Sequence, residues 1–239
     1  MPVRSITLII PALNEEGAIR QTAEESLQVA LDHFDEVDMI LIDDGSSDRT
    51  GAIMDDLAGK HQAIRVLHNG RNLGLGASYK RGVAEARGAY VMLLCGDGAM
   101  PGSALPAIFD RVGQADIIIP YIRNLRHLKT RSRYLLSRTY TALLNLVSGL
   151  DLHYFNGLPV HRLDRLRSIE IKSNGFGFQA EILVKLIKGG CTYEQVGVNA
   201  VERKNQSSAL RPRNVISVSR TIARLLVELF QIVRSSKRS

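Results

Sequence analysis

The sequence predicts an α/β fold, a mostly parallel sheet flanked by helices. Three observations carry this. Short β-branched apolar runs alternate with stretches of helical spacing from residue 5 to residue 120. Each run ends in a polar turn rich in Gly, Asp or Asn. The intervening helices are long enough for right-handed crossovers between parallel strands. A chain of 239 residues, 45% hydrophobic and 23% charged, buries one large core or two small ones, which excludes disorder and fibrous repeats.

Taken in order, Ser5–Ile10 is a buried strand ended by Pro11. Glu15 to about Leu31 is a helix with Asn14 as its N-cap. Asp38–Ile42 is a strand, Asp43–Ser47 a turn and Asp48–His61 a helix. Ile64–His68 is the third strand, Asn69–Gly76 a glycine-rich loop and Ala77–Arg87 a helix. Ala89–Leu94 is the fourth strand, Ser103–Val112 a helix and Asp116–Pro120 a fifth strand. The two cysteines, Cys95 and Cys191, make neither a disulfide framework nor a cysteine-rich zinc site. No apolar run reaches the ~20 residues of a spanning helix, and the start does not read as a signal peptide.

In a parallel sheet, ligands sit at the carboxyl ends of the strands. Polar clusters fall there: Asn14 and Glu15 after the first strand, Asp43 and Asp44 after the second, Cys95–Asp97 after the fourth. A turn-capping role explains any one of them. Three at successive strand ends point to a site. The absence of GxGxxG after the first strand, and of GxxxxGK[ST] anywhere, argues against dinucleotide and P-loop chemistry.

Charge is partitioned. The formal net charge is +7, yet residues 1–116 carry 10 Lys/Arg against 17 Asp/Glu. Residues 117–150 carry six Lys/Arg and no acid, and residues 202–239 nine Lys/Arg and two acids. Such blocks are expected of a solvated face or of an anionic partner. Few aromatics interleave the basic residues, so no nucleic-acid partner is expected.

LIIPALNEEGAI, ILIDDGSSDRT and VLHNGRNLGLGASYKRGVAEARGAYVMLL together resemble the nucleotide-sugar half of glycosyltransferase family 2, with its GT-A, Rossmann-type fold. The dolichol-phosphate mannose synthase and polyprenyl-phosphate glycosyltransferase branch is the most similar, over roughly residues 5–215. The resemblance implies that Pro11, Ala12, Asn14, Glu15, Asp43, Asp44, Arg71, Cys95, Gly96 and Asp97 bind the nucleotide sugar (a GDP- or UDP-hexose). Asp97 matches the second acid of the family's D-x-D motif, which holds Mg2+ or Mn2+ against the diphosphate. Cys95 replaces the first acid, and Ala99 a glutamine of the mannose synthases. Either Asp97 holds the metal alone with waters and diphosphate, or the site has decayed.

Residues 123–150 combine Arg123, Arg126, Lys129, Arg131, Arg133 and Arg138 with Tyr134, Leu135, Leu136, Tyr140, Leu143, Leu144 and Leu146. A basic and apolar helix suits a lipid phosphate. RSRYLLSRTY resembles the family's acceptor-phosphate helix, which makes Arg131, Arg133, Ser137 and Arg138 candidates for the acceptor phosphate, with Arg123 of the same basic stretch beside them. Glu181, in GFGFQAEIL, is expected either to act at the sugar or to serve as a helix N-terminal acid. Arg203 and Ser208 match the family's R-x-x-G-x-S-K, with Gln206 and Ala209 departing from it. Asp97, Glu181 and Arg203 are the catalytic candidates.

Residues 1–212 are read as the catalytic unit, with 1–120 as nucleotide-sugar half and 121–212 as acceptor half. Residues 213–239 are read as a C-terminal amphipathic helix and basic tail that lies on a membrane surface. The expected activity is inverting transfer of a hexose from a nucleotide diphosphate sugar to polyprenyl phosphate, cytoplasmic and peripheral at the cytoplasmic membrane face. Two alternatives stay open. One is a transferase acting on a sugar hydroxyl, with Asp151, His153 or Glu181 as base. The other is a non-catalytic nucleotide-sugar-binding relative.

Overall fold

The computed structural model describes residues 4–128, 130–175 and 177–200. Seven strands form one sheet in the order β3-β2-β1-β4-β6-β5-β7. They are β1 (Ser5–Ala12), β2 (Glu36–Asp43), β3 (Ile64–His68), β4 (Tyr90–Leu93), β5 (Ile117–Ile122), β6 (Val160–Arg162) and β7 (Tyr193–Val198). Every pairing is parallel except those of β6, which runs against β4 and β5. The carboxyl ends of β1, β2, β4, β5 and β7 therefore share one edge of the sheet, and the start of β6 faces that same edge. The final helix expected over 213–239 lies outside the described residues.

Period-two alternation sorts the strand residues between two cores. Ile6, Leu8 and Ile10 of β1, with Met39 and Leu41 of β2, point to one side. There they meet α1 (Ile19–His33), α2 (Thr50–Lys60) and α4 (Leu105–Phe109). Ile9, Ile40, Ile42, Val91 and Leu93 point to the other side. They meet α3 (Leu75–Glu85), α7 (Leu163–Arg167), α8 (Phe178–Lys188) and Leu144, with the partly buried Tyr140, of α6 (Arg131–Ser148). Burial on both faces is why these strands read as continuous apolar runs rather than alternating ones.

Several elements differ from the sequence reading. The first helix begins at Ile19, and Asn14 does not cap it; Asn14 has φ 56° and bonds across to the loop after β2. Asn is among the few residues that adopt this left-handed conformation at low cost. The helix expected over 103–112 is a 3-10 turn at Gly102–Ala104 followed by the five-residue α4. The basic stretch is two helices, the short α5 (Leu125–Leu128) and then α6. Strands β6 and β7 carry too little apolar pattern to be read alone; both depend on β5 for their place.

Candidate active site

The loops after β1 and β2 are knitted together. The Asn14 amide donates to Ser46 Oγ (3.1 Å), and Asn14 Oδ1 accepts from the Ser47 amide (2.8 Å). The Glu15 amide donates to Thr50 Oγ1 (2.8 Å), and that of Glu16 to Asp48 Oδ2 (3.2 Å). The Arg49 amide returns a bond to Glu16 Oε2 (3.0 Å). Burial pushes the Asp48 carboxyl up, but hydrogen bonds from Thr50 and the Glu16 amide outweigh it and hold it below its ordinary value.

Asp43 ends β2 and Asp44 follows it, and the two do different work. Asp43 accepts from the Ser46 amide (2.9 Å) and faces His68 Nδ1 at 3.2 Å. His68 Nε2 lies 2.9 Å from Asp55. Burial pushes Asp43 up, yet Ser46 and His68 prevail and lower it. His68 is raised, first by its bond to Asp55 and further by Asp43, against burial.

Asp44 is buried, and its carboxylate is surrounded by donors. Oδ1 accepts from Asn69 Nδ2 (2.8 Å), the Leu73 amide (2.9 Å) and Ser78 Oγ (3.0 Å). Oδ2 accepts from the Gly74 amide (2.9 Å). Asp44 thereby anchors the loop that carries Arg71 to the β2 turn. Gly45, at φ 78°, completes this contact: a Cβ there would sit 2.6 Å from the Arg71 carbonyl carbon.

The turn after β4 closes on the same place. The Gly96 amide donates to the Pro11 carbonyl (3.3 Å), and the Asp44 amide to that of Ala12 (2.9 Å). Pro11, Ala12, Asp44 and Gly96 thus meet through their backbones, as the strand-end clusters suggested. Cys95 is half-buried between Leu94 and Gly96. Asp97 accepts from the Ala99 amide (3.1 Å). No group of three or more His, Cys, Asp or Glu that could hold a metal ion occurs among the described residues. One carboxylate beside a thiol fits a hard cation only if the ion brings most of its oxygen shell, as Mg2+ does with waters and substrate phosphates.

Glu181 sits in the first turn of α8 with 1% of its surface exposed. It accepts from the Lys172 amide (2.9 Å), the Ser173 amide (2.8 Å) and Lys185 Nζ (2.7 Å). Burial raises its pKa, but Lys185 and the two amides outweigh that and lower it. The carboxylate is committed to the 172–174 loop. That loop packs on α3, where a Cβ on Gly76 would meet the Asn174 carbonyl oxygen at 2.6 Å. Glu181 and Asp44 therefore brace the Arg71 loop from its two sides. Sequence reading missed the donors Asn69, Ser78 and Ser173; a buried acid that needs partners was the available signal.

Arg123 follows the carboxyl end of β5, and its amide donates to the Val198 carbonyl (2.8 Å). A Cβ on Gly197 would overlap the Arg123 side chain, so the guanidinium lies across β7. Tyr121 stacks on His153 at 4.5 Å between centroids and 19° between planes. The His153 amide and Nδ1 both meet Gln195 Oε1, at 2.7 and 3.0 Å. Arg131, Arg133, Ser137 and Arg138 lie on α6; Arg131 and Arg138 are exposed, and Arg133 and Ser137 half-buried. Arg203 lies outside the described residues.

The model of the family described as Glycosyl transferase family 2 matches residues 7–167. An undecaprenyl-phosphate mannosyltransferase from Micrococcus luteus is 29% identical over 230 residues, covering 90% of this chain and 93% of that protein. A polyprenol monophosphomannose synthase from Mycolicibacterium smegmatis is 28% identical, covering 90% and 84% respectively. Among solved structures, glucosyl-3-phosphoglycerate synthase from Mycobacterium tuberculosis, in complex with Mn2+, UDP-glucose and phosphoglyceric acid, superposes with a TM-score of 0.70. That similarity covers 94% of this chain and 79% of that one at 22% identity, and it speaks for the fold.

Proposed function

The chain belongs to glycosyl transferase family 2, and from that premise we propose that it moves a hexose, with inversion, from a nucleotide diphosphate sugar to a polyprenyl phosphate at a membrane surface. The carrying observation is an opposition at one edge of the sheet. Acids cluster at the ends of β1, β2 and β4, and a helix bearing arginines in an acid-free stretch of sequence follows the end of β5. Both relatives cited above carry polyprenyl or undecaprenyl phosphate chemistry in their names. Residues 1–212 are proposed as the catalytic unit and 213–239 as its membrane-facing extension.

A phosphate acceptor is already anionic at neutral pH and needs no strong base. Catalysis then consists of positioning and of neutralising the leaving diphosphate. Asp43, with Pro11, Ala12, Asn14 and Glu15, orients base and ribose by accepting their N–H and O–H donors. Asp44 and Glu181 hold the Arg71 loop in place for the diphosphate. Arg123, Arg131, Arg133, Ser137 and Arg138 bind and orient the acceptor phosphate, with Arg203 closing over the phosphates. Asp97 would hold a divalent cation (Mg2+ or Mn2+), which supplies positive charge to the diphosphate when bound.

The test is labelled transfer from a panel of nucleotide hexoses to polyprenyl phosphate, with glycan acceptors in parallel. Labelled lipid product with no glycan product is expected. His153→Ala separates the rival: it leaves transfer to a phosphate intact but removes the candidate base for a hydroxyl acceptor. Full activity in EDTA would remove the metal from the reading, and activity in Asp97→Ala would remove Asp97.

A further inference from the structure

His68 ends β3 between two carboxylates that come from different elements. Its Nδ1 lies 3.2 Å from Oδ2 of Asp43, at the end of β2, and its Nε2 lies 2.9 Å from Oδ1 of Asp55, on α2. Parallel pairing sets the first contact, since Asp43 and His68 are register partners at the ends of their strands. The first turn of α2 closes the arrangement: a Cβ on Gly51 would sit 2.8 Å from Asp43 Oδ2 and 3.4 Å from His68 Cε1. From α3, Arg81 donates to the His68 carbonyl (2.8 Å) and so meets its backbone rather than its ring. The ring therefore faces one carboxylate at each nitrogen.

An ionised carboxylate only accepts hydrogen bonds, and an imidazole donates from both nitrogens only when it is protonated. The neutral ring has one N–H, so one of the two carboxylates would face a lone pair instead of a donor. The pair of acids accordingly raises the His68 pKa, first through the bond to Asp55, against burial, and further through Asp43. We propose that His68 is a positioning residue for the nucleotide sugar: as an imidazolium it fixes the Asp43 carboxylate between α2 and the Ser46 amide, ready to accept from the nucleoside, and it couples donor binding to the uptake of a proton. This deepens the reading of Asp43 as a nucleoside ligand and rests on it. The sign follows from the bonds. Donor affinity is full while His68 is protonated and falls as the pH rises through its titration, by at most about tenfold per pH unit for one proton.

The probes are UDP-glucose and GDP-mannose, whose diphosphate is a diester and does not titrate near neutral pH. Calorimetry of each with the full chain and Mg2+, from about pH 6 to about pH 9, is expected to show affinity falling at least threefold with rising pH for whichever binds. A glutamine at this place donates to one carboxylate and turns its own carbonyl oxygen to the other. His68→Gln is therefore expected to bind more weakly than the parent at the acid end and to lose the pH dependence. Asp55→Asn removes the larger of the two attractions on the ring and should move the fall in affinity to lower pH. The chain has six histidines, so the spectrum of His68→Gln identifies the His68 resonance, whose midpoint in an NMR titration should move in Asp55→Asn together with the affinity profile. A pH dependence that survives in His68→Gln, with affinity lowered equally at every pH, makes His68 a packing residue and overturns the proposal. Asp43→Ala separates the proposal from the reading beneath it. If that variant weakens binding while the parent's affinity ignores pH, the proposal alone fails. If it binds as tightly as the parent, or neither nucleotide sugar binds the parent at any pH, the reading of the donor site fails and the proposal with it.

Discussion

The edge of the sheet carries two regions built in opposite ways. The loops after β1, β2 and β3 are held by short bonds to buried or half-buried acids, so that Asp43, Asp44 and Asp48 each accept from two or more donors. Helix α6, by contrast, buries Thr141, Leu144 and Ser148 and leaves four leucines in solvent. The first arrangement fixes its loops in advance, so that in the proposed reading a nucleotide bound there requires little ordering. The second leaves apolar side chains uncovered among the described residues. Donor recognition should therefore respond to changes in buried polar groups through stability and geometry together. Acceptor recognition should respond to changes in exposed charge with the fold untouched.

The sharpest way to break this contrast is Asp44→Ala. It strands four donors, two of them buried side chains, and should cost about 3 kcal/mol of stability as well as nucleotide affinity. Chemical denaturation and calorimetry with nucleoside diphosphates measure the two losses. A stable variant that merely binds nucleotide less tightly would make Asp44 a ligand rather than an anchor.

Glu181→Ala comes next. A buried carboxylate that holds two amides and Lys185 should contribute about 2–3 kcal/mol. Glu181→Gln should recover part of that stability. If the alanine variant is as stable as the parent but inactive, Glu181 acts on the sugar directly.

On the acceptor side, Arg131→Ala and Arg138→Ala, both at exposed positions, are each expected to raise the acceptor KM about tenfold, equivalent to about 1.4 kcal/mol. The donor KM and the unfolding midpoint should stay put. Matched increases in both KM values would erase the distinction between the two regions.

At neutral pH the smallest effect concerns His161. It lies on β6, with Nδ1 buried and without a hydrogen-bond partner. Burial lowers its pKa from 6.5 to about 3. The unfolded chain then takes up a proton near pH 6.5 that the folded chain refuses until about pH 3. This contribution is complete above pH 6.5 and is lost as the pH falls through that window, at a slope of at most about 1.4 kcal/mol per pH unit. His161→Leu should flatten the pH dependence of the unfolding midpoint between pH 6.5 and 4 and leave donor and acceptor KM unchanged at neutral pH.

Sequence by itself determined the alternation of strands and helices through β5, the strand-end positions of Asn14, Asp43, Asp44 and Asp97, and the separation of acidic and basic blocks. These are local properties, since period-two and helical spacing, turn residues and charge are written within a few positions of one another. Tertiary structure alone decided what needed distant partners. Strand β6 is three residues long and exists because β4 and β5 flank it. Asp44 and Glu181 were legible as acids, but their inward commitment depends on Asn69, Leu73, Gly74 and Ser78 for one, and on Lys172 and Ser173 for the other. Helix α6 carries apolar residues on two sides, so its spacing could not say which side meets the core. Packing placed Leu144 in the second core and left the Leu135 and Leu146 side to the solvent.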